Sequence, residues 1–194
     1  VRSGQREAIG AQIPVAVTDF VNDTGEPELD GLSEMLITSL EQSRFLSVLT
    51  RSRMHDILER GGHAVPDQID ESLGRRICRE ANINVLVTAS IRKFDDLYTI
   101  DLKAYDVNSQ DHLVTLREEG SRKSDIPGMI DRLAKKTRSG LNESSLAIAA
   151  NSESVGDITT RNLEAFQEYF VGERHINKLE FDAAREAFER AISL

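Results

Sequence analysis

The stretch DFVNDTGEPELDG, residues 19–31, follows an apolar segment and has the residue types of a ligand-binding turn. A loop that cradles phosphate needs closely spaced glycines, so that backbone N–H groups can approach the anion. This stretch has two separated glycines, Gly25 and Gly31, and five acidic side chains that would repel a phosphate. Neither G-x-x-x-x-G-K-[ST] nor G-x-G-x-x-G occurs in the chain. We therefore expect the turn, with Pro27, to shape the start of a helix and to bind no nucleotide.

Histidines and paired carboxylates are the residues that a metal site would use. None of the four histidines, at positions 55, 63, 112 and 175, stands in an H-E-x-x-H or C-x-x-C context. His55 and His63 could approach each other, but surface and capping roles explain them better. DVNSQD, residues 106–111, lacks the glycine and the closing glutamate of a calcium loop. We expect neither a metal nor a cofactor.

A nucleophilic enzyme needs Ser, Thr or Cys beside an oriented base, and the chain has no G-x-S-x-G elbow. Its single cysteine, Cys78, lies near the apolar side of a predicted helix, where a buried and inert thiol is expected. A hairpin turn explains the adjacent Asp95 and Asp96. We predict no catalytic residue and no enzyme activity in these residues.

The elements that position these residues begin with a strand, a helix and a second strand. IPVAVTDF (13–20) suits a buried strand, residues 28–43 place leucines at three- and four-residue steps, and FLSVLT (45–50) is the second strand. This order favours a right-handed parallel crossover. Two further helices follow, one over SRMHDILER (52–60) and one capped by Asp67 or Asp70.

From residue 84 the hydrophobic period changes from helical to alternating. Three alternating segments, ending in DHLVTLREEG, are joined by short polar turns and predict an antiparallel meander. One face of the meander is apolar. The other is either simply solvated, as antiparallel sheets allow, or binds a partner. Its residues are Thr88, Ser90, Arg92, Thr99, Asp101, Lys103, Thr115 and Arg117.

The predicted fold class is α/β, or α+β: a mixed sheet with a parallel β-α-β start, a three-strand antiparallel meander and helices packed on it. A fourth long helix, marked by Ile126, Ile130, Leu133, Thr137 and Leu141, covers the sheet, and a helical hairpin ends the chain. The predicted organisation is a tail at 1–12, an α/β domain at 13–141, a Ser- and Asn-rich linker at 142–158 and the hairpin at 159–194.

Composition limits the functional class. The 194 residues carry a formal net charge of −9, from 33 acidic and 24 basic residues, which argues against binding to nucleic acid or anionic lipid. No apolar run approaches the roughly 20 residues that cross a bilayer, so we expect no membrane segment. The missing starting Met and a helical pattern that reaches the last residue indicate an excised fragment.

Residues 13 to about 141 resemble the superfamily that includes the TolB amino-terminal domain and CsgG-like lipoproteins. That family has an F-x-N-x-[ST]-G-like turn, a helix reading G-L-[ST]-E-x-L, an arginine-led short helix and V-x-G-S at the start of a meander. Ala89 replaces the usual glycine of the last motif. The matching residues are Phe20, Asn22, Thr24, Gly25, Gly31, Leu32, Ser33, Glu34, Leu36, Arg51 and Ser90.

LEFDAAREAFERAISL, residues 179–194, resembles the second helix of a tetratricopeptide repeat, with Ala184, Phe188 and Ala191 at the small, aromatic and small positions. Gly172 falls where the first helix carries its glycine. Because one repeat cannot bury its own face, the resemblance implies a truncated first repeat with others after it.

This domain order is similar to the C-terminal region of bacterial transmembrane proteins that carry a Ser/Thr kinase, an adenylate cyclase or a winged-helix domain. The resemblance implies a non-catalytic sensor or scaffold region on the periplasmic or extracytoplasmic side, although no kinase motif occurs in these residues. The alternative is an envelope-assembly or enzyme-activating lipoprotein of the CsgG-like class, which self-associates or docks on enzymes. Either reading needs a protein partner or a second copy of the chain. The candidate partner-binding residues are Arg92, Asp101, Lys103, Arg117, Glu168 and His175.

Overall fold

The computed structural model describes residues 12–63, 66–155 and 162–194. Within these ranges the chain forms a six-stranded mixed sheet with helices packed against it and a C-terminal helical hairpin, which confirms the predicted fold class. The predicted tail at 1–12 lies, except for Gln12, outside the described residues. No helix in the described part of the chain is both long and apolar enough to cross a bilayer.

The sheet combines a parallel half with an antiparallel half. Its strand order is β3-β1-β4-β5-β6, and β2 pairs with the far half of β4. Strand β1 is parallel to both β3 and β4, while β4, β5 and β6 form the predicted antiparallel meander. The strands are β1 (Ile13–Val17), β2 (Val21–Asp23), β3 (Leu46–Val48), β4 (Val85–Phe94), β5 (Leu97–Asp106) and β6 (His112–Gly120).

The helices follow the predicted order, with one addition after the sheet. They are α1 (Leu32–Glu41), α2 (Arg51–Arg60), α3 (Glu71–Ala81), α4 (Ile126–Gly140), α5 (Ser145–Ala150), α6 (Leu163–Asn177) and α7 (Phe181–Ser193). Asp70, one of the two predicted candidates, caps α3, since its carboxylate accepts the N–H of Leu73 at 2.8 Å. Thr50 caps α2 in the same way.

Two apolar layers hold the sheet. Helices α1 and α4 cover one face, where alternate residues of β4 and β5, such as Val87 and Leu102, are completely buried. Helices α2 and α3 cover only one part of the opposite face, around Ala16, Leu86 and Tyr105. Further along β4 the residues of that face become exposed, as at Arg92 and Phe94.

The segment predicted as a linker, 142–158, contains helix α5 and two buried anchors. Glu143 forms an ion pair with Arg138 at 2.7 Å, and the carboxylate of Asp131 accepts the N–H of buried Val155 at 3.1 Å. Residues 156–158 lie outside the described part of the chain. These anchors hold the segment against α4, because a buried charge needs its partner.

The C-terminal hairpin packs on the α/β domain. Phe166 of α6 is 2% exposed and belongs to the main core, and the amide of Gln167 donates to the carbonyl of Pro27 at 3.0 Å. Within the hairpin, Gly172 lies against Phe188 so closely that an added Cβ would be 2.5 Å from its ring. A small residue is therefore required at this crossing.

Candidate functional site

The acidic turn is shaped by its own side chains. The Asn22 carbonyl accepts the N–H of Thr24 at 3.1 Å and its hydroxyl at 2.6 Å, and the Asn22 amide donates to the backbone carbonyl of Glu26 at 2.8 Å. Gly25 has φ +77°, in the left-handed region that glycine favours. The residues of the F-x-N-x-[ST]-G-like motif thus build the turn. Asn22 lies within β2, and Thr24 and Gly25 follow it, although sequence analysis had placed this strand in the turn itself.

Lysines pair with two of the acidic side chains of the turn, Glu26 and Glu28. Glu26 accepts hydrogen bonds from Lys93 at 2.5 Å, Lys123 at 2.6 Å and the hydroxyl of Tyr98 at 2.9 Å. Burial alone would raise the pKa of Glu26, but these donors outweigh it and lower the pKa to about 2. Glu28 also pairs with Lys123. The turn is therefore bound to the meander and to the segment before α4.

A buried ionic cluster lies at the carboxyl end of β1. Asp19 accepts the guanidinium of Arg51 at 2.6 Å, the hydroxyl of Ser33 at 3.0 Å and the N–H of Ile69 at 2.6 Å. Arg51 also donates to Glu34 at 3.0 Å. Ser33, Glu34 and Arg51 are among the residues that carried the family resemblance. Ser33 and Arg51 contact Asp19 directly, and Glu34 is linked to it through Arg51. With the N–H of Ile69, these contacts join β1, the first turns of α1 and α2, and the segment before α3.

A cleft of about 510 Å³ opens above this cluster, between the α/β domain and helix α6. Strands β3 and β4 lie on opposite sides of β1, so the cleft occupies the position where parallel sheets form a crevice. Ile37 of α1 and Phe170 of α6 provide apolar wall, and Arg174 of α6 lies at the rim. Sequence reasoning missed this cleft, because its residues come from five separated segments.

Two ionisable groups of the cleft have shifted pKa values. Burial raises the pKa of Glu34, against the opposing effect of Arg51. Burial, and then the charge of Arg51, lower the pKa of His55, which favours the neutral imidazole. His63 contacts Arg76 and Glu80 at 3.1 and 3.6 Å. No three His, Cys, Asp or Glu side chains of the described residues are grouped as a metal site would require.

The second candidate region is the uncovered sheet face beyond α3. Residues paired across neighbouring strands share one face, and the register therefore defines which side chains it carries. We call it the open face. It consists of Val21, Asp23, Thr88, Ser90, Arg92, Phe94, Leu97, Thr99, Asp101, Lys103, Thr115, Arg117 and Glu119.

The four predicted partner-binding residues of the meander all lie on the open face. Arg117 donates to Asp101 at 2.7 Å, and Arg92 forms an ion pair with the same carboxylate. Hydrogen bonds from Arg117 and then Arg92 lower the pKa of Asp101, despite partial burial. Lys103 is exposed and has no acidic partner within the described ranges. Both guanidinium groups remain more than half exposed while held in place.

Sequence reasoning missed the apolar part of the open face. Phe94 and Leu97, which pair across the β4–β5 turn, are 79% and 39% exposed, and Val21 of β2 is 58% exposed. The alternating pattern that placed Arg92 on this face also predicts Phe94 there, two residues later. Only the unexpected pairing of β2 with β4 adds Val21.

The two predicted partner-binding residues of the hairpin make contacts within it. Glu168 forms an ion pair with Arg190 at 2.8 Å, and a ring nitrogen of His175 lies 2.6 Å from Glu180. No hydrogen bond or ion pair between described residues joins either side chain to the open face. These contacts connect α6 with α7 and with the turn between them.

No protein-family model and no curated protein sequence matches the chain. Solved structures do. The LpoB C-terminal domain from Salmonella enterica matches with a TM-score of 0.51 and 12% identity, covering 58% of this chain and 87% of that one. The corresponding domain from Escherichia coli matches with a TM-score of 0.52 and 15% identity, covering 58% of this chain and 84% of that one. This chain contains the fold of LpoB C-terminal domains.

A weaker similarity joins the chain to TolB from Acinetobacter baumannii, with a TM-score of 0.47 and 18% identity, covering 68% of this chain and 29% of that protein. At such identities the LpoB similarity concerns the fold alone. The kinase and repeat-array context implied by the sequence resemblance has no counterpart in the names of these structures.

Proposed function

We propose that this chain is a non-catalytic protein-interaction module of the bacterial cell envelope, which docks on a protein partner through the open face. The observation that carries the proposal is this uncovered four-stranded surface, with exposed Phe94 beside the Arg92–Asp101–Arg117 ion pairs. The fold shared with LpoB C-terminal domains supports the envelope-assembly or enzyme-activating alternative more than the kinase-sensor reading.

The open face has the anatomy of an interface between proteins. Aromatic and arginine side chains contribute most of the binding energy at such surfaces, surrounded by polar groups that exclude water. Phe94 supplies an aromatic anchor at the end of a hairpin, and Arg92 and Arg117 are held by Asp101 before any partner arrives. Ordering these side chains in advance lowers the entropic cost of association.

Sensor function within a membrane-bound Ser/Thr kinase, with a periplasmic tetratricopeptide array, is the second candidate. The close contact of Gly172 with Phe188 favours it, since that pair occupies the small and aromatic positions of such a repeat. In that reading the hairpin, with Glu168 and His175, receives the partner. Neither candidate assigns catalysis to this chain, and purified protein should show no ATP hydrolysis and no ATP-dependent thermal shift.

Site-specific photocrosslinking distinguishes the surfaces. A p-benzoylphenylalanine replaces Thr115 on the open face or, as a control, exposed Glu59 on helix α2, and the full chain is exposed to the envelope fraction of its own organism. We expect a discrete adduct from position 115 that is lost when Phe94→Ser is added, and none from position 59.

Three outcomes would contradict this proposal. Equal adducts from positions 115 and 59 would show non-specific contact, and an adduct unaffected by Phe94→Ser would exclude the aromatic anchor. An adduct of two copies of the chain, identified by mass spectrometry, would assign the open face to self-association and overturn the heterologous partner.

A further inference from the structure

We infer that the cleft above Asp19 binds an organic cation: an aliphatic ammonium or guanidinium group, carried by a free amine or by a basic side chain of a peptide. The cleft lies at the carboxyl ends of β1 and β3, and its walls come from α1, α2 and α6. It is separate from the open face, so this inference does not depend on the proposed function.

The guanidinium at the floor of the cleft, that of Arg51, is already paired with two carboxylates. Arg51 is 12% exposed and donates through Nε to Glu34 and through Nη2 to Asp19, while its Nη1 lies 3.5 Å from the sulfur of Met54. One guanidinium therefore faces two carboxylates. The floor is negative, and it is rigid because Ser33 and the N–H of Ile69 hold Asp19.

The walls add to this negative charge. Asp30, Glu41 and Glu173 contribute three carboxylates, and Arg174 contributes one positive charge. Asp67, also in the wall, is compensated by its ion pair with Lys178. The first turns of α1 and α2 contribute only about half a positive charge each, so the carboxylates dominate.

The largely buried carboxylate of Glu34 shares the guanidinium of Arg51 with Asp19. Burial raises the pKa of Glu34 despite this contact. Burial lowers the pKa of His55 on the facing helix, which disfavours a positive charge there. A cation placed beside Glu34 would add a positive charge in an environment where screening by water is weak.

The shape of the cleft fits a cation on an apolar stem. Ile37 is 4% exposed and Phe170 is half-buried, and together they provide an apolar wall beside the carboxylates. An aromatic ring also attracts a cation placed over its face. The volume of about 510 Å³ is in the range of small-molecule sites. Because Phe170 and Glu173 belong to α6, a bound cation would also tie the hairpin to the α/β domain.

Calorimetry on the full chain at physiological salt tests the inference. The probes are spermidine, agmatine and a blocked Gly-Lys-Gly peptide, with inorganic phosphate as the anionic comparison. We expect saturable binding of at least one cationic probe, and the preferred probe then distinguishes a free amine from a peptide side chain. We expect none of phosphate.

Charge-neutralising variants distinguish binding of a cation in the cleft from general electrostatic attraction of cations to an acidic protein. Glu41→Gln and Glu173→Gln should each weaken binding about fivefold, as expected for a partly exposed ion pair. Glu119→Gln changes the net charge equally on the open face, away from the cleft, and should leave the affinity unchanged. No saturable cation binding, binding of phosphate instead, or an equal loss in the Glu119→Gln control would each overturn the inference.

Discussion

Arg51 donates a hydrogen bond to Asp19 across 2.6 Å and thereby joins the first turn of helix α2 to the carboxyl end of β1. The two residues are 32 positions apart, and the contact is largely shielded from water. Since Asp19 also accepts Ser33 and the N–H of Ile69, this one carboxylate organises four segments of the chain.

Asp19→Ala should lower the free energy of unfolding by about 2–4 kcal/mol, because it leaves the buried N–H of Ile69 without its acceptor and the largely buried guanidinium of Arg51 with one carboxylate instead of two. Urea denaturation followed by circular dichroism measures the change. The control is Glu71→Ala, which removes an exposed pair with Arg75 on α3 and should cost about 0.5 kcal/mol or less. Equal effects of the two substitutions would show that the cluster is not a structural anchor.

Gly172→Ala should destabilise the hairpin by about 1–3 kcal/mol, since the new methyl group would overlap the ring of Phe188. Gly128→Ala is the matched control within α4, where the nearest atom is the flexible end of Arg132 at 3.4 Å. That change should be neutral or stabilise by up to about 1 kcal/mol. Thermal unfolding compares the two, and a Gly172→Ala protein as stable as the parent would contradict the close packing.

The pKa of Glu26 predicts a loss of stability in acid. Its folded-state pKa of about 2 lies below the ordinary 4.5, so its contribution is present above pH 4.5 and is lost as the pH falls towards 2. The free energies of unfolding of the Glu26→Gln variant and the parent should therefore converge as the pH falls over this range. Urea denaturation midpoints of both proteins at pH 6, 4 and 3 measure this convergence. A difference that stays constant with pH would show that the lysines do not stabilise the ionised carboxylate.

Cys78 should be unreactive in the folded protein. It is completely buried on α3, and burial raises the pKa of its thiol to about 12, so little thiolate forms at neutral pH. We expect a thiol reagent such as Ellman's reagent to modify Cys78 only on the timescale of unfolding, and rapidly in guanidinium chloride. Rapid modification under native conditions would indicate that α3 opens locally.

Much of the architecture was evident from periodicity. The alternation from residue 84 predicted three strands, and their register follows from one apolar face, because a one-residue slip would bury the charged positions. The same alternation by itself predicts that Arg92, Asp101 and Arg117 lie on a common face. Helix α5 and strand β2 were not predicted, since α5 lies in a Ser- and Ala-rich stretch without a clear period and β2 lies beside the acidic turn residues.

What the sequence determined by itself was local: the order of the main strands and helices, and which side of each element is apolar. Backbone geometry imposes the hydrophobic periods of helices and strands, so these periods can be recognised within a single segment of the sequence. Tertiary structure decided which segments meet, as where Asp19, Glu34 and Arg51 converge beneath α6 and where Val21 joins Phe94 on the open face. Those contacts depend on the order of the strands and on the direction of the crossover connections. Both bring together residues that lie far apart in the sequence and share no periodic pattern.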